Sequence, residues 1–214
     1  NIGMVFQHFM LIEPLTVAEN IVLGSEIRKG PFLNHKKMVA EVERLSQEYG
    51  LQIDPEARIA DLSVGLQQRV EILKALYRGA EILVLDEPTA VLTPQEVEDL
   101  FQVLRTLKSK GTSIIFITHK IKEVLAVSDR VSVLRRGKKV GTKLTKDTNE
   151  QELAEMMVGR VVLLRVEKGP ANPGPEVLRL DGVTVKDQFG QVKVNNVSLS
   201  VRRGEVLGIA GVEG

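Results

Sequence analysis

The chain contains no cysteine, which excludes disulfides, thiolate nucleophiles and thiolate metal sites and fits a reducing compartment. It also lacks a charge of one dominant sign: 29 Lys and Arg oppose 28 Asp and Glu, leaving a formal charge of +1. Nothing in that balance asks for nucleic acid or an anionic membrane as partner. Long apolar runs are missing too. Stretches such as Ile82 to Leu85 and Ile114 to Ile117 fall far short of the roughly 18 residues of a membrane span. No low-complexity tract is present. The chain opens on "NIGMVF" with neither an initiating Met nor a basic segment before an apolar stretch, so the expectation is an internal piece of a longer protein and no signal peptide.

What remains is ordinary for a folded protein. There are 214 residues, 43% of them hydrophobic, enough for one large or two small domains. "IGMVF" at 2 to 6 reads as a strand, and Thr16 with Glu19 has the spacing of a capping box, so a helix should begin there. A second helix is expected from Asn34 to Tyr49, with Met38, Val42 and Leu45 as its stripe and Gly50 as its stop. A third should run from Ser63 to about Arg78, with Leu66, Val70, Leu73 and Tyr77 on one face and Ser63 at the cap.

The period then changes. "ILVL" at 82 to 85 and "IIFI" at 114 to 117 are continuous apolar runs, the pattern of parallel strands covered on both faces. Between them "TPQE" supplies Thr93 as N-cap, Pro94 at N1 and Glu96 at N3 of a helix, giving a βαβ unit. Residues 130 to 142 predict a hairpin turning near Gly137, and 149 to 158 a short helix. Pro170, Pro173 and Pro175 mark 160 to 175 as a linker. Beyond it "VLRLDGVTV", "QVKVNNVSLSV" and "EVLGIAG" predict three strands of a further domain. The last of these runs into Gly208, Gly211 and Gly214, the way a phosphate loop G-x-x-x-x-G-K-[ST] begins.

The densest chemistry lies in "ILVLDEPTA". A buried strand that ends in Asp86 and Glu87 puts two carboxylates where open α/β sheets bind ligands. Asp86 suits a hydrated Mg²⁺ and Glu87 an attacking water, although a strand must also end in polar residues somewhere. Ser63 and Gly65 open a helix, so a phosphate there would meet a hydroxyl, free N–H groups and the positive helix end, while the plainer role for Ser63 is a cap alone. A glycine two residues into a helix costs stability, and phosphate binding is the reason the sequence offers for it. Gln7 directly after a strand can offer a carbonyl to Mg²⁺. His119 at a strand end can donate to a γ-phosphate. His8 and His35 read as surface or packing residues, and "RRGKK" at 135 to 139 as a solvated hairpin tip, not a nucleic-acid patch.

Taken in order, Gln7, "LSVGLQ" at 62 to 67, Asp86 with Glu87, and His119 resemble the Q-loop, signature, Walker B strand and switch histidine of the ATPase subunit of ABC transporters. The resemblance covers nearly the whole chain. It implies an α/β fold with a RecA-like P-loop core, here residues 1–7 and 79–158, carrying an inserted helical subdomain at about 8 to 78. The first ATPase domain would be 1–159, and 176–214 the start of a second. It further implies ATP and Mg²⁺ as cofactors, with Glu87, His119 and Gln7 catalytic and Asp86 and Gln7 at the metal. Ser63, Gly65, Gln67, Gly211 and Gly214 would touch nucleotide. In that family two domains sandwich two ATP molecules, so Ser63 and Gly65 would close the site that begins at Gly211. The sequence departs from the family at Val64, Leu66 and Thr93, which stand where Gly, Gln and Asp are usual. These departures, and a second ATPase domain starting on the same chain, resemble the tandem ATPases of simple-sugar and nucleoside importers, more the nucleoside branch. The implied setting is the cytoplasmic face of the cell membrane, with integral-membrane permease subunits as direct partners, a substrate-binding lipoprotein as an indirect one, and no nucleic acid. By itself this chain is expected to hydrolyse no ATP. The rival readings are a soluble ABC ATPase outside transport and a non-catalytic docking module.

Overall fold

The computed structural model describes residues 1–161, 169 and 171–210. Half of the expected linker at 160 to 175 lies outside the described residues, as do Gly211 and Gly214. The chain forms two compact units, Asn1–Val162 and Leu163–Gly214.

The larger unit begins with β1 (Ile2–Val5) and α1 (Val17–Val22), whose Thr16 and Glu19 close the capping box in both directions. A short hairpin follows, β2 (Arg28–Lys29) and β3 (Phe32–Leu33). Next come α2 (His35–Tyr49), capped by Asn34, a 3₁₀ turn at Ile59–Asp61, and α3 (Val64–Tyr77), capped by Ser63. Then β4 (Ile82–Asp86), α4 (Pro94–Ser109) and β5 (Ser113–Ile117) complete the βαβ unit. α5 (Ile121–Val127), the hairpin of β6 (Arg130–Arg135) and β7 (Lys138–Leu144), and α6 (Glu150–Val158) close the unit. The hairpin at 28–33 and α5 are the elements that the sequence pattern did not announce, being too short for a period to register.

β1, β4 and β5 form a parallel sheet with β4 in the middle. Its pairing, Val5 with Leu85 and Asp86 with Ile117, aligns the C-terminal ends of all three strands. Val5, Leu83 and Leu85 point from one face into a core shared with α1, α2, α3 and α4, including Ile21, Val42, Leu73 and Leu104. α3 comes very close to β1: a Cβ on Gly3 would sit 2.8 Å from the Ala75 Cβ and 2.9 Å from the Ala80 Cβ, so this position takes glycine. The opposite face is less covered than the apolar runs led us to expect. Ile2, Met4, Ile115 and Ile117 remain exposed there.

The smaller unit contains β8 (Glu176–Lys186) paired antiparallel with β9 (Val192–Arg202). The third expected strand does not form: residues 205 to 210 have no strand pairing, and Val206 and Ile209 lie exposed.

Candidate functional site

The aligned strand ends assemble the site. β4 delivers Asp86 and Glu87, β1 delivers Gln7 two residues past its end on one side, and β5 delivers Thr118 and His119 on the other. Four of the expected residues thus share one sheet edge because three parallel strands end in register.

Glu87 anchors this edge. Its φ of 46° places a non-glycine residue in the left-handed region, a conformation that neighbours must hold. Its N–H donates to the Ile117 carbonyl at 2.9 Å, and its carbonyl accepts from Ala90 at 3.1 Å. His119 Nδ1 lies 2.8 Å from Glu87 Oε1, with the carboxylate largely buried and the imidazole mostly exposed. Thr118 Oγ1 reaches Glu87 Oε2 at 3.4 Å. With Nδ1–H donating to an ionised Glu87, a neutral His119 presents Nε2 as an acceptor, so donating to a phosphate requires the imidazolium.

Asp86 is half-buried, and among the described residues no hydrogen bond or ion pair engages its carboxylate. Gln7 is exposed and equally unengaged. One carboxylate and one amide oxygen, both uncommitted, are hard donors that fit Mg²⁺, which keeps most of its shell as water and phosphate oxygens. Asp86 and Gln7 would hold the ion, whose contribution is neutralising charge on bound phosphates.

Ser63 and Gly65 belong to a second cluster, at the N-terminus of α3 in an open cleft lined also by Glu96 and Asp99. The Ser63 Oγ accepts from the Leu66 N–H at 3.4 Å. The glycine at 65 has a structural cause that the sequence did not reveal: a Cβ there would lie 2.7 Å from Glu96 Oε1. Phosphate binding is therefore not the only reason for a glycine in this turn. Gln67 is held within the same turn: its amide donates to the carbonyls of Leu62 at 3.1 Å and Ile59 at 3.4 Å and braces it.

Sequence reasoning missed the residues that tie the two clusters together. Gln68, 1% exposed, donates from Nε2 to the carbonyl of Pro88 at 2.7 Å, immediately after Glu87. Buried Glu71 accepts from the Met10 N–H at 3.0 Å while Lys74 donates to the Met10 carbonyl at 2.8 Å, clamping the segment that follows Gln7. Asn20 clamps Ile12 in both directions, accepting at 2.8 Å and donating at 3.1 Å. The available signal was a polar residue on an otherwise apolar helix face, since such groups are buried only with partners.

A parallel sheet with paired carboxylates where its strands end, together with a serine-glycine helix turn, makes up an α/β fold similar to that of the ABC transporter family. The chain is similar to that family: residues 1–90 match the family profile described as ABC transporter. Over 213 residues, all of this chain, it is 56% identical to the guanosine import ATP-binding protein NupO of Bacillus subtilis and 52% identical to the nucleoside import ATP-binding protein NupA of Lactococcus lactis. It is 42% identical over 215 residues to the ribose import ATP-binding protein RbsA of Geobacillus kaustophilus. The chain spans 42% of the length of each of these three relatives. Among solved structures, cbiO1 from Clostridium perfringens, described as part of an ABC transporter complex, aligns with a TM-score of 0.58 at 28% identity, covering 73% of this chain and 61% of that one.

Proposed function

We propose that this chain is part of the ATP-binding, ATP-hydrolysing subunit that powers import of a nucleoside through a separate membrane permease. The observation that carries the reading is the convergence of Gln7, Asp86, Glu87 and His119 on one sheet edge. Glu87 acts on the attacking water, with His119 and Thr118 fixing its carboxylate. Asp86 and Gln7 serve Mg²⁺. Ser63 and Gly65 face the phosphate of a second ATP.

No described helix is long and apolar enough to cross a membrane, so the path for the solute lies in other subunits and this subunit docks on them from the cytoplasmic side. Nucleosides are favoured over simple sugars by the higher identity to the guanosine and nucleoside import proteins than to the ribose one. The test is made with the full-length protein and its permease in vesicles. Glu87→Gln abolishes hydrolysis and labelled guanosine uptake while ATP is still bound. Uptake of ribose but not guanosine would reassign the substrate, and hydrolysis at the parental rate would remove Glu87 from its role.

A further inference from the structure

Glu96 has one carboxylate and two helices to serve. Its Oε2 accepts from the Thr93 N–H at 2.9 Å and from the Thr93 hydroxyl at 3.0 Å, while its own N–H donates to Thr93 Oγ1 at 3.3 Å, closing the capping box of α4. Its Oε1 lies against Gly65 in the first turn of α3, 2.7 Å from where a Cβ would stand, so a side chain there would push the carboxylate aside. Thr93 and Gly65 are 28 residues apart, and this single side chain bridges the turn after the Glu87 loop to the serine-glycine turn.

The electrostatics agree with the geometry. The Thr93 N–H is the largest influence holding the Glu96 carboxyl below the usual carboxylate range; the Thr93 hydroxyl, the Gly65 N–H and the Arg69 charge add to it against partial burial. An anion is therefore already resident where α3 presents its free N–H groups and its positive end, the place assigned above to a phosphate. Two anions at one helix turn repel, so the resident one must yield as the other arrives.

We infer that Glu96 is a positioning residue whose Oε1 occupies the Gly65 turn until a nucleotide phosphate displaces it, while its Oε2 stays on Thr93 and carries the displacement to the turn that follows Glu87. This rests on the reading that the Ser63–Gly65 turn faces ATP. In that arrangement the arrival of phosphate at one cluster is felt at the other without any residue touching both nucleotide and water.

The experiment measures equilibrium binding of labelled ATP to the full-length protein in a Glu87→Gln background, where nothing is turned over. Glu96→Gln, which keeps the shape and removes the charge, tightens ATP binding roughly two- to fivefold, the size of one charge at a helix end. Unchanged or weaker binding overturns the inference. Asn34→Ala removes the cap of α2, away from both clusters, and serves as a control for lost stability. If it shifts ATP binding as Glu96→Gln does, the effect is one of stability and the inference fails. Ser63→Ala separates the two layers: it weakens ATP binding if the turn faces nucleotide, and if it has no effect the underlying reading falls first.

Discussion

Replacing Gln68 by Met tests whether the loop that carries Glu87 is held by α3. The two side chains have similar volume and flexibility, so packing alone predicts a loss of less than about 1.5 kcal/mol. The hydrogen bond predicts more. Nε2 is 2.7 Å from the Pro88 carbonyl in a site where Gln68 is 1% exposed and Pro88 is buried. Deleting the donor leaves that carbonyl unpaired away from water, which costs about 1–3 kcal/mol. The left-handed Glu87 next to it then loses one of its supports, so hydrolysis by the full-length protein should fall in kcat with little change in KM for ATP. Stability can be read cleanly on this chain by urea unfolding followed through tyrosine emission. There is no Trp, and both tyrosines, Tyr49 and Tyr77, sit in the larger unit, so the signal reports that unit alone. A Gln68→Met midpoint equal to the parent's, together with an unchanged kcat, would refute the reasoning, since both consequences follow from the same bond.

Three further outcomes are expected. Glu87→Gln should lower kcat by about 10²–10⁴, the usual worth of a general base, with ATP binding retained in a filter-binding assay. Leu104→Ala empties a fully buried position in the core beneath the sheet and should cost about 2–5 kcal/mol by the same tyrosine signal. The carboxyl of Glu96 is held below its ordinary range, so its share of stability is complete above that range and is lost as pH falls through its lowered value. Glu96→Gln should therefore flatten the loss of stability measured by urea midpoints as the pH is lowered below the ordinary glutamate value of about 4.3.

The parts of this protein that were legible in its sequence are those whose causes are local. Thr16 with Glu19 and Thr93 with Glu96 sit three residues apart, and each closes the box that its spacing announces. Asp86 and Glu87 could be placed because a strand end is visible from the apolar run before it. What could not be read depends on partners distant in the chain. Gln68 meets Pro88 20 residues away, and Glu71 meets Met10 61 residues away. The packing around Gly65 was equally hidden, because its neighbour Glu96 arrives from another helix. The segment 205 to 210 has the composition of a strand and pairs with none, and composition does not supply a partner.

The half-dressed sheet also sets conditions on how such a chain survives once made. Ile2 and Met4 of the first strand and Ile115 and Ile117 of the last share one face with β4 between them, an oily panel on the sheet whose middle strand ends in Asp86. Water meets that panel until something apolar is laid over it. Handled alone at high concentration, the chain is expected to bind hydrophobic dyes and to gather into soluble clusters.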